Sequence, residues 1–317
     1  MRSELSSSHS YCGRSKTIKL KFVKIHDDVV VTKSHLKDDV LEALKEEIRR
    51  GNNRIDVPSR ASGSAKGLPF EEWTRKAIEN HVRRKNLPVK VFLQEEFVRE
   101  IVNELKNKGY ERKRIEKFLR STWWGLRDYF FSRTQLEDAI AGRNVRSYQQ
   151  SIADLIIFYG NDLTADANKI IAVNVKSHEL EKKRKKSRHP NIISAKRLLE
   201  YFNDILDKNP KYLEDFELWF IGIYYEKKDS HAYISQDEIY LKDLFKLKVS
   251  EIPEINFDAA IQLQWHIKEM KEDPGQTKEK FIKDLALEVQ ERWEAFSKRR
   301  TSEFANLVNG ILEKLKS

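Results

Sequence analysis

Short apolar runs divided by turn-forming residues mark the second half of this chain. Residues 153–159 and 169–176 are two such runs, and the segment 160–168 between them is rich in Gly, Asn and Asp. This pattern predicts two strands joined as a hairpin. Residues 218–225 are β-branched and aromatic and predict a further central strand, while 259–267 alternate apolar with polar residues and predict a strand with one polar face.

Apolar residues at helical spacing occur on both sides of these strands. Pro69 suits the first turn of a helix in which Phe70, Trp73, Ala77 and Ile78 share one face. The aromatic residues between 123 and 131 are predicted to belong to the core. The remaining segments with a helical pattern are 36–50, 93–141, 194–206 and 277–315.

The order of these elements predicts the fold class. Helices followed by a mixed sheet and then by more helices indicate an α/β (α+β) protein, with a mixed central β-sheet flanked by helices and a long C-terminal helical region. A chain of 317 residues can bury one large core, and no linker divides it, so we expect a single domain over 1–317. Residues 1–16 predict a flexible polar arm, and 17–31 predict one or two strands.

The composition is that of a heavily charged protein without a membrane span. Charged residues make up 35% of the chain and hydrophobic residues 39%. No apolar run approaches the ~20 residues that cross a bilayer, and the N-terminus lacks the apolar segment of a secretion signal. Cys12 is the only cysteine, which excludes an internal disulfide. A reducing, cytoplasmic setting is therefore expected.

The excess of positive charge is concentrated in one segment. The net charge of the chain is +10, and residues 177–197 carry eight basic residues against Glu179 and Glu181. Such clustering is typical of a surface that binds a polyanion such as nucleic acid. The alternative is a solvated basic loop without a partner.

The predicted hairpin also carries candidate chemistry. Asp154 lies at the start of the first strand, and Asn174 and Lys176 project from one face of the second because they are two residues apart. Hydrolysis of a phosphodiester by metal ions needs carboxylates that hold the metal and a positive group near the scissile phosphate. Asp154 and Asn174 are the candidate metal ligands, although an amide brings no charge. The alternative is an exposed strand end without function.

Several segments together resemble the HincII group of type II restriction endonucleases, within the PD-(D/E)XK nuclease superfamily. The resemblance lies in IADLII at 152–157, AVNVK at 172–176 and PNIISA at 190–195. Residues 62–71 are similar to the small-residue loop and first catalytic helix of that group. Residues 258–267, followed by GQTKE and a long helix, are similar to its C-terminal strand and helix.

The resemblance implies a role for each matching residue. Asp154 would ligate the metal, Lys176 would orient or activate the attacking water, and Glu71 would be an auxiliary acid, unless it is an ordinary acid at a helix start. Asn191 would contact DNA bases, and the alternative is the N-cap of the helix that follows. The other DNA-binding candidates form two sets. Phosphate contacts would come from the basic run Lys182, Lys183, Arg184, Lys185, Lys186 and Arg188. Further contacts would come from the polar residues Ser194, Gln262, Gln264 and His266.

The function implied is that of a homodimeric, Mg²⁺-dependent type II restriction endonuclease, with Mn²⁺ as a possible substitute. It would cut both strands of a short palindromic site in double-stranded DNA, and a cognate DNA methyltransferase would belong to the same system. Residues 60–206 would form its catalytic core, and 207–317 would complete the sheet and the DNA-contact face.

Asn174 departs from this family pattern, because a second acid is expected at its position. Three explanations are open: an enzyme that uses Asn, an engineered Asp→Asn variant, or a degenerate nuclease that binds DNA without cutting it. The competing functions are a non-catalytic DNA-binding protein on a nuclease scaffold and a structure-selective repair nuclease.

Overall fold

A six-stranded mixed sheet forms the centre of the fold. In spatial order its strands are β1 (Arg54–Asp56), β7 (His231–Asp243), β6 (Leu218–Lys228), β4 (Ile170–Glu179), β3 (Leu155–Phe158) and β2 (Lys90–Leu93). β4 and β6 run parallel, and every other neighbouring pair runs antiparallel. The predicted fold class, a mixed sheet flanked by helices, is confirmed.

The computed structural model describes residues 33–57, 63–180, 189–258 and 261–314. The predictions for 1–16 and 17–31, and those for Lys182–Lys186 and Arg188, lie outside the described residues. Within the part that is described, no helix is both long and apolar enough to cross a membrane.

The hairpin predicted from the two apolar runs is present and lies inside the sheet. β3 pairs antiparallel with β4, with Leu155 opposite Val173. Alternate residues of both strands enter two different cores, so that Ile156 packs on one face of the sheet and Ile157 on the other. Because both faces are covered, the paired residues of these strands, 155–158 and 170–173, are all apolar rather than alternating.

Three further strands form a second, separate sheet. Its order is β5 (Asn191–Ser194), β9 (Gln262–Gln264) and β8 (Glu254–Asn256), all antiparallel. The strand predicted over 259–267 is thus confirmed only for three residues. The interpretation of Asn191 as a helix N-cap is wrong, because Asn191 begins β5 and Ser194 is the cap, its Oγ accepting from the Arg197 N–H at 3.2 Å.

Eight α-helices are found in the described part of the chain. They are α1 (Lys33–Arg49), α2 (Gly63–Lys85), α3 (Gln94–Asn107), α4 (Arg112–Arg120), α5 (Arg133–Ile140), α6 (Ala195–Lys208), α7 (Tyr212–Asp215) and α8 (Lys278–Lys314). Buried residues of α1 and α2 cover one face of the central sheet, and those of α3, α4, α6 and α8 belong to the core on the other face.

Two helix boundaries differ from the prediction. Pro69 lies inside α2 rather than in its first turn, because the helix already begins at Gly63 in a small-residue segment that shows no apolar periodicity. The predicted helix 93–141 is three helices, since Gly109 ends α3 with a left-handed φ of +76°. The aromatic residues Trp123, Trp124 and Phe130 are buried in the core, as predicted.

An ion cluster ties the first and last helices to the start of β6. The Glu217 carboxylate accepts from Lys278 Nζ at 3.0 Å and from Lys33 Nζ at 2.9 Å. Lys278 also donates to the Phe216 carbonyl oxygen at 2.6 Å. The cluster holds the beginning of α8 against the edge of the core.

Candidate active site and DNA-contact face

A cleft of about 500 Å³ opens where the chain enters β3 and where β4 extends past it. Its walls come from α2, from β4 and from the start of β5, together with a loop over residues 147–149. Glu71, Asp154, Lys176 and Asn191, four of the residues predicted from the sequence, line this one cleft.

The backbone of β4 fixes the carboxylate of Asp154. The Asp154 N–H donates to the Val173 carbonyl oxygen at 2.8 Å, which continues the hairpin ladder by one residue. Asp154 Oδ2 accepts from the Val175 N–H at 2.7 Å and lies 3.9 Å from Lys176 Nζ. The acid and the lysine are therefore held together by strand pairing rather than by side-chain packing alone.

Glu71 brings a second carboxylate to the same cleft from α2. The adjacent Phe70 is buried in the core, and Glu71 lines the cleft. Burial and the neighbouring Asp154 raise the pKa of Glu71 to about 8, although Lys176 opposes the shift. Burial also raises the pKa of Asp154, against the effect of Lys176 and of the Val175 N–H. Two partly desolvated carboxylates thus share one cation.

A third acid, Glu95 at the start of α3, also lines the cleft, and burial raises its pKa. Nevertheless, no group of three His, Cys, Asp or Glu side chains in the described residues is arranged to hold a metal ion. A cation in this cleft would therefore need further oxygen ligands besides the carboxylates that line it.

Asn174 is built into the sheet rather than into the wall of the cleft. Its side chain is 4% exposed, and its Nδ2 donates to the Ile152 carbonyl oxygen at 2.9 Å. Its Oδ1 is buried and has no hydrogen-bond partner among the described residues. The amide therefore ties β4 to the segment that leads into Asp154, and this role requires a donor.

The polar face predicted for DNA contact is assembled on the three-stranded sheet. Gln264 pairs in register with Asn191 on one side, and Gln262 pairs in register with Ser194. Residues directly opposite each other on antiparallel strands place their side chains on the same face. Asn191, Ser194, Gln262 and Gln264 therefore share one face, and Asn191 also belongs to the cleft.

His266 lies beside two other histidines. Its ring centroid is 6.1 Å from that of His178 and 5.4 Å from that of His189. Burial, with smaller effects of His266 and Lys176, lowers the pKa of His178 to about 4, and burial likewise lowers the pKa of His266. The His178 ring is therefore neutral at pH 7, and the shift of His266 in the same direction favours its neutral form.

Sequence reasoning missed three parts of the cleft wall, the first of which is the start of α3 with Glu95. His178 lines the cleft two residues after Lys176, and the period of a strand could have identified it. Ser147, Tyr148 and Gln149 also line the cleft from a loop that the sequence marks only as polar. This loop is held to α6, because Arg197 donates to the Tyr148 hydroxyl at 3.3 Å.

The arrangement supports chemistry on a phosphate ester. Two carboxylates and one lysine in a cleft can orient a water and balance charge on a phosphate, and the adjoining amide face can read a base edge. Comparison with known proteins agrees with this chemistry. Residues 48–306, most of the chain, match the family model described as restriction endonuclease HincII. No match is found among curated proteins.

Proposed function

The chain belongs to the HincII restriction endonuclease family, and from this premise we propose that it is a type II site-specific deoxyribonuclease. Membership makes it a DNA-binding nuclease. The further proposal is that it hydrolyses one phosphodiester in each strand of a short palindromic site, in the cytoplasm and as a homodimer whose two-fold axis matches that of the site. A methyltransferase that protects the same site would be its partner enzyme.

The observation that carries this proposal is the meeting of Asp154, Lys176 and Glu71 in one cleft. The donors there suit Mg²⁺, since they are carboxylate oxygens. Burial raises the pKa of both carboxyl groups, and Asp154 adds to the shift of Glu71, so a bound cation would stabilise their charged forms. Asp154 and Glu71 would hold the ion, and Mn²⁺ could replace it. When bound, the metal would lower the pKa of a water and polarise the phosphate.

The protein's own groups would supply the remaining requirements. Lys176 would orient the attacking water and offset charge that develops on the phosphate. The Val175 N–H holds the carboxylate of Asp154 with Oδ2 at 3.9 Å from Lys176 Nζ. Glu71 would release its proton when a cation binds, because the cation stabilises the charged form.

We assign Asn174 a positioning role and Glu71 the part of the second acid. The amide donates to Ile152 O, which an aspartate cannot do. This favours Asn as the working residue over an inactivating replacement of Asp. The metal-ligand role predicted for Asn174 from the sequence is therefore not part of the proposal.

DNA recognition is proposed for two surfaces. The basic run that contains Lys182, Lys183, Arg184, Lys185, Lys186 and Arg188 would contact phosphates and make binding sensitive to salt. The face with Asn191, Ser194, Gln262 and Gln264 would read base edges in the major groove.

Incubation with phage or plasmid DNA and Mg²⁺ or Mn²⁺ tests the proposal. Discrete, reproducible fragments are expected from the wild type, and Asp154→Ala should bind DNA in gel shifts without cutting it. A smear or nicks would indicate a repair nuclease instead. Intact DNA with wild type and with Asn174→Asp, while gel shifts persist, would establish the second candidate, a non-catalytic DNA-binding protein, which has no acid at position 174.

A further inference from the structure

A row of three polar side chains crosses the three-stranded sheet. Asn191 on β5 and Glu254 on β8 both pair in register with Gln264 on the middle strand β9. Asn191 and Glu254 are exposed, whereas Gln264 between them is 7% exposed. Gln264 thus connects an outer carboxylate to the asparagine at the cleft.

The amide of Gln264 can take two orientations, and they are not equivalent. With Nε2 turned toward Glu254, it lies 3.1 Å from Oε2 and 3.2 Å from Oε1 of the carboxylate, and its own Oε1 faces Asn191. In the other orientation Nε2 donates to Asn191 Oδ1, but Gln264 Oε1 then faces the carboxylate. A carboxylate only accepts hydrogen bonds, so the second orientation opposes two acceptors.

The first orientation also determines how Asn191 is turned. Because Gln264 Oε1 is an acceptor, Asn191 has to offer its Nδ2 to it, and the carboxamide oxygen of Asn191, a residue that lines the cleft, is then left to accept from another group. We propose that Glu254 is a positioning residue which, through Gln264, fixes the carboxamide of Asn191 with its acceptor oxygen directed toward DNA. This inference rests on the proposed function, since it assumes that Asn191 meets a base edge.

The fixed polarity selects one class of base. In the major groove, adenine N6 and cytosine N4 present a donor, whereas guanine O6 and thymine O4 present an acceptor. An Asn191 whose oxygen points outward accepts from the amino group of adenine or cytosine and repels the carbonyl of guanine or thymine. Glu254 would thereby determine which bases are accepted at a position that it does not touch.

Binding selection from a random duplex library, with Ca²⁺ in place of Mg²⁺ to suppress cleavage, provides the test. The position read by Asn191 is first identified as the one at which Asn191→Ala loses its base preference. The wild type should prefer adenine or cytosine there by about five- to a hundredfold, the range of one good base contact. Glu254→Gln, which can donate as well as accept, should lower that preference about tenfold or more and leave the other positions unchanged. Glu254→Asp should keep the preference, and so should the matched control Glu251→Gln.

Two results would overturn the assignment of Glu254. Glu254→Gln could retain the full preference at the Asn191 position, or it could weaken binding equally at every position, as a merely structural role would. Equal melting temperatures of Glu254→Gln and wild type exclude a folding defect as the cause of altered selection. A wild type that binds without any base preference would overturn the proposed function itself, and the recognition role of Glu254 with it.

Discussion

The side-chain nitrogen of Asn174 donates to the backbone oxygen of Ile152 at 2.9 Å, two residues ahead of Asp154. This bond joins β4 to the segment that leads into Asp154 and β3, and the Asn174 side chain there is buried. It gives the position a structural reason to carry an amide, independent of any metal.

Replacing Asn174 with Asp should therefore destabilise the protein in the absence of metal. The substitution places an oxygen against the Ile152 carbonyl oxygen in a buried setting, so we expect the free energy of unfolding to fall by about 1–3 kcal/mol. Urea denaturation in EDTA measures this change. Asn144→Asp, at an exposed site, is the matched control and should unfold like the wild type. Equal stability of Asn174→Asp and wild type would show that the amide bond is dispensable.

Lys176→Ala should abolish most cleavage and spare DNA binding. Loss of the positive group near the attacking water is expected to slow cleavage by about 10²–10⁴-fold. Plasmid cleavage and gel shifts, measured on the same preparations, separate the two effects. Lys169→Ala removes a lysine that pairs with Asp166, just before the same strand, and should cleave normally. A Lys176→Ala protein as fast as the wild type would remove the lysine from the mechanism.

Glu71→Gln should change how stability depends on pH. The folded-state pKa of Glu71, about 8, lies above its ordinary value of 4.5, so the folded protein holds this proton more tightly than the unfolded chain. Without metal, the wild type should lose stability as the pH rises from about 4.5 through 8, and Glu71→Gln should not. At pH 9 the variant should be the more stable by on the order of 2 kcal/mol, since one pKa unit corresponds to about 1.4 kcal/mol and partial exposure reduces the effect.

Glu72→Gln is the matched control for this pH experiment, because the pKa of Glu72 is lowered where that of Glu71 is raised. Hydrogen bonding to Arg75 lowers the pKa of Glu72, so its charge stabilises the fold above its ordinary pKa. Chemical denaturation between pH 4 and 9 should show no gain for this variant at high pH. If the stability of Glu71→Gln and that of the wild type depend on pH in the same way, the raised pKa of Glu71 is refuted.

Alanine at all six basic positions of 182–186 and 188 should reduce the salt dependence of DNA binding. Each lost phosphate contact lowers the slope of log K against log salt by about 0.9, so the slope should become shallower by up to about five. Fluorescence anisotropy at several salt concentrations measures it. Alanine at Arg112, Lys113 and Arg114, a basic cluster on α4 outside the cleft lining, is the control. An unchanged slope would identify the run as a solvated loop without a partner.

Gly222→Ala should loosen the packing of β6 against the segment that follows β9. A Cβ at Gly222 would lie 2.9 Å from Cβ of the fully buried Ile267, and Gly222 is the register neighbour of Lys176. Overpacking of this kind costs about 1–3 kcal/mol, measurable by thermal unfolding. In the helical Gly67→Ala, the new Cβ would meet only the flexible end of Glu71 at 3.3 Å, so this control should be neutral or stabilising. A Gly222→Ala protein of unchanged stability would show that Ile267 can move away.

The sequence was sufficient for the parts of the site that depend on local periodicity. The two apolar runs predicted the hairpin, and the spacing of two residues placed Lys176 on one strand face with Asn174. Asp154 lies near Lys176 because the two strands of a hairpin pair with each other. The long C-terminal helix and the helix at 36–50 were likewise readable from their apolar positions.

What remained hidden depends on contacts between distant segments. Glu254 and Asn191 are 63 residues apart in the chain and meet only through β9, so no pattern in either segment indicates the row. The donor role of Asn174 depends on the position of the Ile152 carbonyl, and the raised pKa of Glu71 depends on its burial and on the nearness of Asp154. The sequence shows which side chains are polar, but it does not show which groups they form hydrogen bonds with.

Asn191 belongs both to the polar row and to the wall that surrounds Asp154 and Lys176. If the proposed function holds, the sequence of a bound DNA is inspected at the place where its backbone is cut. A mismatch at this base pair would displace the strand in the cleft as well as weaken its binding. Discrimination between sites would then be kinetic, with wrong sites penalised in kcat beyond their loss of affinity.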